Sequence, residues 1–181
     1  MDLNFLRNAV KLKRNALSKN EALALSLKVT NSFFSLDFIR EKSTFFIYNS
    51  IKNEVDTSYI ISRLKDLGKT ISYPLTVGSD MLAVEPTSNE WIVGDFGVKT
   101  PKDYSVIKDI DVAVIPLMLC DTNKNRVGYG KGYYDRFLKN KNIVKIGLAY
   151  DFQVVENLTP NEWDVPLDVI ITPTRIIGEL I

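Results

Sequence analysis

The apolar residues of this chain follow two patterns, a helical spacing and short continuous runs. Near the N-terminus they lie on one face of a predicted helix, at Leu3, Leu6, Val10 and Leu17. The basic residues around that face, Arg14 among them, are interpreted as mainly solvated. Ser18 and Glu21 then have the spacing of a capping box, which predicts the start of a second helix.

Short runs of β-branched and aromatic residues predict buried strands, at residues 44–48, 70–73, 81–84, 111–116, 143–150 and 169–172. Pro74 is expected to end the second strand, and Gly68 is expected to close the helix before it. Residues 85–109 are interpreted as an irregular connection that Trp91 anchors to the core. Strands that alternate with helices favour an α/β fold, a mostly parallel sheet flanked by helices, in a single domain over residues 1–181.

The chain is organised around a glycine-rich segment, residues 126–135. Its glycines alternate with larger residues, and a backbone without Cβ atoms can approach a bound group closely. The segment lies between a predicted strand and a predicted helix, so its N–H groups and the helix dipole would converge on one spot. That spot would suit a phosphate or a carboxylate, with Arg126 and Lys131 adding positive charge.

The spacing of these glycines matches neither the Walker A pattern nor the dinucleotide-binding fingerprint. A glycine-rich turn that merely joins a strand to a helix therefore stays open as an alternative. Because ligands of parallel sheets bind beyond the carboxyl ends of the strands, the glycine segment is expected at that edge, together with Glu54 and Tyr73.

The composition narrows the kinds of partner. With 181 residues and a formal charge of +1, the chain has no basic excess that would favour nucleic-acid binding. It has no apolar run long enough to cross a bilayer and no leader-like pattern at its start, so a cytoplasmic protein without a membrane partner is expected. The single cysteine, Cys120, is interpreted as a free structural thiol.

The sequence contains no histidine. This absence excludes Ser-His-Asp and Cys-His catalysis, and it excludes transition-metal sites that need a histidine ligand. Charge chemistry must then come from Lys, Arg, Asp, Glu and Tyr, and magnesium held by carboxylates and phosphates stays open. This profile favours phosphoryl transfer over acyl hydrolysis.

These motifs resemble the 5-formyltetrahydrofolate cyclo-ligase family, whose members are also called 5,10-methenyltetrahydrofolate synthetases. The hallmark of the family is a proline-ended strand, an Asp a few residues later, and an Arg-x-Gly-x-Gly-x-Gly-Tyr-Tyr-Asp block. Here these parts are residues 114–116, Asp121 and residues 126–135. Further agreement, in order along essentially the whole chain, occurs at residues 6–7, 53–57, 73–74, 81, 96–98, 153 and 164–168.

The resemblance implies ATP-dependent closure of 5-formyltetrahydrofolate to 5,10-methenyltetrahydrofolate, with release of ADP and phosphate and use of Mg²⁺. It also implies that the formyl oxygen attacks the γ-phosphate and that N10 then attacks the activated carbon. Positioning and charge neutralisation dominate phosphoryl transfer, so a chain without histidine can perform this reaction.

The resemblance also implies roles for individual residues. The predicted ATP-binding residues are Leu3, Arg7, Arg126, Val127, Gly128, Tyr129, Gly130, Lys131, Gly132, Tyr133 and Tyr134. The catalytic groups among them are Lys131, Arg126 and Tyr133, with Lys131 as the main stabiliser of the transferred phosphoryl group. Leu3 stands where the family usually has a Lys, four residues before Arg7, and Lys11 is a hypothetical substitute for it.

The folate pocket implied by the resemblance contains Asn49, Ile51, Glu54, Tyr73, Phe96, Tyr129, Lys131 and Tyr133. Glu54 would accept hydrogen bonds from the N–H edge of the pterin. A plain core role is equally open for Ile51 and Tyr73. The predicted Mg²⁺ ligands are Asp135 and Asp164, whereas Asp168 is left out as a turn residue.

Two other functions stay open. The first is a phosphosugar isomerase or transferase, which would use the glycine loop for a phosphate but would not need tight, Mg²⁺-dependent ATP binding. The second is a non-catalytic folate- or nucleotide-binding protein. On every one of these hypotheses the partners are small molecules, and the protein is expected to be a monomer or a weak homodimer.

Overall fold

The computed structural model describes residues 2–179. Its α-helices are α1 (Leu3–Ala16), α2 (Lys19–Ser35), α3 (Phe38–Glu41), α4 (Ser58–Asp66) and α5 (Tyr133–Leu138), and 3-10 helices cover Asp95–Gly97 and Asp151–Gln153. The strands are β1 (Thr44–Ile47), β2 (Thr70–Val77), β3 (Asp80–Pro86), β4 (Trp91–Val93), β5 (Lys99–Pro101), β6 (Tyr104–Val106), β7 (Val112–Pro116), β8 (Leu119–Asp121), β9 (Arg126–Val127), β10 (Val144–Leu148), β11 (Val154–Val155), β12 (Val169–Ile171) and β13 (Ile176–Ile177). Between residues 2 and 179, no helix is both long and apolar enough to cross a membrane.

Eight strands form the main sheet, in the order β13-β12-β10-β7-β1-β2-β3-β6. The five strands from β12 to β2 are parallel to their neighbours, with Phe45 of β1 opposite Val112 of β7. Strands β13, β3 and β6 add antiparallel edges. The predicted fold, a mostly parallel sheet flanked by helices, is confirmed.

The two faces of this sheet are covered by different helices. Successive side chains of a strand point to opposite faces. Phe45 therefore packs among residues of α2 and α4, such as Phe33 and Ile60. Phe46 stacks on Phe137 of α5, with ring centroids 4.6 Å apart. All five residues of β7 are buried, as expected of a central strand covered on both faces.

The order of the parallel strands reverses between β1 and β7. From β1 the chain passes through α4 to β2 on one side, and it later crosses to β7, β10 and β12 on the other side. Ligands of open α/β sheets bind beyond the carboxyl ends of the strands at such a reversal. The segments that leave β1 and β7 are residues 48–57 and residues 117–132, and the second contains the glycine loop. The fold thus brings the two predicted substrate-binding segments to the same edge.

Three predictions about strands were wrong. Pro74 lies inside β2, because the pairing with β1 stops at Ser72 and leaves one side of β2 open, where a residue without an N–H fits. Residues 85–109 contain β4 and β5, which pair with each other, and β6, which extends the main sheet. The glycine segment does not follow β7 directly, because β8 and β9 lie between them and form a small sheet with β11.

Other local predictions were confirmed. Ser18 and Glu21 form a capping box with hydrogen bonds of 2.8 and 3.2 Å. Gly68 follows α4 with a φ of 70°, in the left-handed region. Trp91 packs edge-on against the buried ring of Tyr73, with 5.0 Å between centroids, and so anchors its segment to the core. Cys120 is a buried free thiol.

Candidate active site

The backbone of the glycine loop, residues 128–132, has unused hydrogen-bond donors. Gly130 and Gly132 have φ angles of 90° and 67°, which favour glycine. A Cβ at Gly132 would lie 2.7 Å from a guanidinium nitrogen of Arg136. The N–H groups of residues 128–132 donate no hydrogen bond to any other residue of the described chain, and α5 begins directly afterwards. The loop therefore presents N–H donors of the kind that phosphate oxygens accept.

Two basic side chains stand beside this loop. Arg7 reaches it from α1 and donates from Nε to the carbonyl oxygen of Gly128 at 3.2 Å. Lys131 is exposed, and within residues 2–179 it makes no hydrogen bond or ion pair, so its ammonium is available to an anion. Leu3 and Val127 instead pack in the apolar cluster beneath α1. Lys11 is exposed one turn beyond Arg7.

Arg126 and Asp135 form an ion pair beneath the loop. The distance from Nη2 of Arg126 to Oδ1 of Asp135 is 2.7 Å, and the two side chains are 3% and 18% exposed. The same Asp135 oxygen accepts a hydrogen bond from the N–H of Val165 at 3.1 Å. Arg126 also lies over the ring of Tyr134, 5.8 Å from its centroid. The pair therefore ties β9, α5 and the turn before residue 165 together, a contact that the sequence prediction did not anticipate.

On the other side of the loop, Tyr129 contacts the carboxylate that is predicted to bind the pterin. Its hydroxyl donates to Oε1 of Glu54. The other carboxylate oxygen, Oε2, accepts a hydrogen bond from the N–H of Ile51 at 2.9 Å. Glu54 is only 9% exposed. The glycine loop and the segment after β1 thus meet at this contact, in which Glu54 is buried and Tyr129 is partly exposed.

Arg14 supports this contact from α1. It donates to the hydroxyl of Tyr129 at 2.9 Å and to the carbonyl oxygens of Lys52 and Ile51 at 2.8 and 3.3 Å. Its Nη2 lies 4.0 Å from Oε1 of Glu54, and its buried Nε has no hydrogen-bond partner among the residues that the structure describes. Arg14 is 3% exposed, so its interpretation as a solvated residue was wrong.

The sequence contained a signal for this inward position. Arg14 lies four residues after Val10 and three before Leu17, which is the spacing of one helix face. A basic residue inside an apolar stripe must either interrupt the stripe or enter the protein with partners. The interpretation of the basic residues as one solvated group missed this distinction.

Burial shifts the pKa values of both groups in this contact, the Glu54 carboxyl and the Tyr129 hydroxyl. It raises the pKa of the Glu54 carboxyl, while the hydrogen bonds from Tyr129 and Ile51 and the charge of Arg14 oppose the rise. Burial also raises the pKa of Tyr129, and the Glu54 charge adds to that effect. Tyr129 therefore remains a neutral hydroxyl, and the charge of Glu54 depends on its immediate neighbours.

Of the other predicted folate residues, Tyr73 is buried in the core, whereas Asn49, Phe96 and Tyr133 connect neighbouring segments nearer the surface. Asn49 donates from Nδ2 to the carbonyl oxygen of Lys99 at 2.8 Å, which ties the segment after β1 to β5. Phe96 is exposed near the turn between β4 and β5, and its ring packs edge-on against Tyr133, 6.2 Å between centroids. The hydroxyl of Tyr133 donates to the carbonyl oxygen of Gly78 at 2.9 Å. The β4–β5 arm, residues 91–101, is therefore held at two points, by Asn49 through Lys99 and by Tyr133 through Phe96.

The predicted magnesium ligands lie in segments joined by a hydrogen bond, and each keeps one carboxylate oxygen without a hydrogen bond within residues 2–179. Asp135 Oδ2 makes no hydrogen bond within the described residues. Asp164 precedes Val165, whose N–H binds Asp135, and its own Oδ2 accepts from the N–H of Asn161 at 2.8 Å. Residues 2–179 contain no group of three or more His, Cys, Asp or Glu side chains arranged for a metal ion.

Mg²⁺ is usually held by one or two carboxylates, with phosphates and waters as the other ligands. In that mode Asp135 and Asp164 would each offer one carboxylate oxygen, and the phosphates of a bound substrate would complete the shell. Asp168, which was left out of the predicted metal site, pairs with the ammonium of Lys145 at 2.8 Å and accepts a hydrogen bond from the backbone N–H of Lys145 at 2.7 Å.

Known proteins resemble this chain over almost its full length. A sequence model of the 5-formyltetrahydrofolate cyclo-ligase family matches residues 3–173. The 5-formyltetrahydrofolate cyclo-ligase of Mycoplasma genitalium is 34% identical over 176 residues, which cover 94% of this chain and 98% of that protein. The structure of the 5,10-methenyltetrahydrofolate synthetase of Aquifex aeolicus is similar with a TM-score of 0.86 and 33% identity, covering 97% of this chain and 91% of the other. The synthetase of Mycoplasma pneumoniae gives a TM-score of 0.78 and 31% identity, covering 96% and 99%.

Proposed function

The chain belongs to the 5-formyltetrahydrofolate cyclo-ligase family, and we therefore propose that it closes 5-formyltetrahydrofolate to 5,10-methenyltetrahydrofolate in an ATP- and Mg²⁺-dependent reaction. ADP and phosphate are the other products. In the proposed sequence the formyl oxygen attacks the γ-phosphate, and ADP leaves. N10 then attacks the activated formyl carbon and loses its proton, and departure of phosphate completes the ring.

The observation that carries this proposal is the contact between Tyr129 and Glu54. Tyr129 belongs to the loop proposed to bind phosphates, and Glu54 is the carboxylate proposed to bind the pterin. The reaction joins a phosphoryl group to an atom of the folate, so the two binding segments must lie side by side. A site for a single phosphorylated sugar would not need the second segment.

The proposed phosphate site uses the unpaired N–H groups of residues 128–132 together with two cations. Lys131 neutralises charge on the transferred phosphoryl group, because its ammonium is exposed next to those donors. Arg7 orients the loop through the carbonyl of Gly128 and adds a second positive charge at its edge. Catalysis then consists of positioning and charge neutralisation, without a nucleophile from the protein.

Arg126 and Tyr133 have supporting parts in this proposal. Arg126 is held by Asp135 below the loop, where its charge adds to the positive potential at the phosphates. Tyr133 fixes the start of α5 against Gly78 and packs against Phe96, so that the β4–β5 arm covers the folate. Asp135 and Asp164 would hold Mg²⁺, which supplies charge neutralisation to the phosphates when bound.

The test is the near-ultraviolet absorbance of the methenyl product, recorded with 5-formyltetrahydrofolate and Mg²⁺, with and without ATP. We expect a rise in absorbance that requires ATP and that falls by a factor of about 100 to 1,000 in Lys131→Ala, the range for loss of one charge-stabilising donor. Lys139→Ala is the matched control, since Lys139 is an exposed lysine just beyond α5. Nucleotide binding without any methenyl product would refute the proposed reaction and favour a binding protein.

A further inference from the structure

Among residues 2–179, Arg14 is the one buried cation that contacts both proposed substrate segments, and it belongs to none of the proposed phosphate, folate or metal sites. Its guanidinium contacts the hydroxyl of Tyr129 in the glycine loop. It also contacts the carbonyl oxygens of Ile51 and Lys52 in the turn that carries Glu54. Lys52 and Asn53 have positive φ angles of 49° and 56°, a conformation that side chains other than glycine adopt only with support.

We propose that Arg14 is a positioning residue, whose guanidinium holds Tyr129 and the 51–54 turn in the geometry that presents the Glu54 carboxylate to the pterin. This inference rests on the proposed function. Arg14 itself does not touch the reacting atoms. It acts through Tyr129 and Glu54, and it links folate binding to the conformation of the phosphate-binding loop.

The geometry requires an arginine rather than a lysine. One guanidinium nitrogen donates to Tyr129, and the other donates to the two carbonyls while it stays 4.0 Å from Glu54. The planar fork of arginine supplies these directions from a single side chain, whereas an ammonium is a point charge. Asn53 adds a second tie, since its Nδ2 donates to the carbonyl oxygen of Arg14 at 2.9 Å.

Arg14 also affects the charge of Glu54. The other ionisable groups that face this carboxylate are Lys52 in its own turn, Tyr129 of the loop, Tyr134 of α5, and Tyr48 and Tyr150 beyond the strand ends. Burial raises the pKa of Glu54, and the Arg14 charge opposes that rise. Without Arg14 the pKa rises further, so that the ionised carboxylate is lost at a higher pH.

The test compares Arg14→Met and Arg14→Lys with Lys13→Met, a control that makes the same charge change on an exposed neighbour in α1. We expect Arg14→Met to weaken binding of 5-formyltetrahydrofolate roughly tenfold to a hundredfold, since it leaves the carbonyls of Ile51 and Lys52 without their donor and Glu54 without the nearby positive charge. The KM for ATP should change much less. The acidic limb of the kcat/KM profile for the folate should move to higher pH, and Arg14→Lys should restore part of that shift.

A double-mutant cycle measured on folate binding tests the inference even if Arg14→Met does not fold. Arg14→Lys, Tyr129→Phe and the double variant are compared by calorimetric titration with 5-formyltetrahydrofolate alone. Non-additive losses are expected if Arg14 acts through Tyr129. Additive losses, or an unmoved acidic limb with equal effects on both substrates, would overturn the inference. A wild-type protein that neither binds the folate nor turns it over would instead refute the proposed function.

Discussion

Breaking the ion pair between Arg126 and Asp135 should destabilise the protein far more than breaking a surface pair of the same length. Asp135→Ala leaves the Arg126 guanidinium buried without a counter-charge and leaves the N–H of Val165 without its acceptor. Breaking a buried pair in this way costs about 3–5 kcal/mol, and the partial exposure of Asp135 favours the lower value. For a chain of this size, about 3 kcal/mol corresponds to a fall in Tm of about 6–12 °C.

The chain offers a matched control for this prediction. Lys102 and Glu90 are 2.6 Å apart, nearly the same distance as in the Arg126–Asp135 pair, but their side chains are 53% and 64% exposed. Glu90→Ala should therefore cost no more than about 1 kcal/mol. The two pairs differ in burial and in the additional hydrogen bond from Val165 to Asp135, so the comparison gives the combined cost of losing a buried partner.

The measurement is urea unfolding followed by circular dichroism, without nucleotide and without Mg²⁺, so that any role of Asp135 as a metal ligand cannot contribute. The double variant Arg126→Met/Asp135→Ala removes both charges and should be more stable than Asp135→Ala alone, because no unpaired charge remains. The reasoning is refuted if Asp135→Ala costs as little as Glu90→Ala, or if the double variant loses the sum of the two single effects.

Three further outcomes are expected. Burial raises the pKa of the Glu54 carboxyl. The carboxyl therefore contributes most to the free energy of unfolding below its unfolded pKa, and this contribution falls as pH rises through the folded pKa. Urea unfolding at about pH 4 and about pH 8 should show that Glu54→Gln gains stability relative to wild type as pH rises. Gly132→Ala should lose about 1–2 kcal/mol of stability in the same assay, since alanine there must adopt a φ of 67° and displace the Arg136 side chain. Gly68→Ala has open space around it and should lose only the cost of the positive φ. Burial raises the pKa of Cys120 to about 12, so a thiol reagent near neutral pH should modify it only after unfolding, and fast modification of the native protein would contradict that.

The sequence predicted the elements whose burial is uniform. β7 is covered on both faces, and its sequence is a continuous apolar run. The start of α2 was predicted from its capping box. β8, β9 and β11 were missed because they have two or three residues each, too few to show a period, and they pair only with each other. The prediction that Pro74 ends β2 was wrong because a proline is tolerated where the neighbouring strand has already ended. The local sequence does not show where that neighbour ends.

The predicted site had a similar limit. From residue type and place in the motif, the sequence supports a hypothesis about which residues carry chemistry, such as Lys131 and Glu54, and their roles stay predictions. It did not indicate pairings over long distances, such as Arg126 with Asp135 or Arg14 with Tyr129. Such contacts depend on how α1 and the small sheet dock, and no local pattern encodes that docking.

The docking of α1 also has a consequence for the order of events during synthesis. Arg7 binds the carbonyl of Gly128 across 121 positions of sequence, and Arg14 binds Tyr129 across 115. At about 5–20 residues per second, roughly 6–24 s separate the appearance of α1 from that of its partners. During that interval the face of α1 that is later buried, including Arg14, lacks the residues that enclose it in the folded protein. The glycine loop acquires its final shape only when these early and late segments of the chain meet.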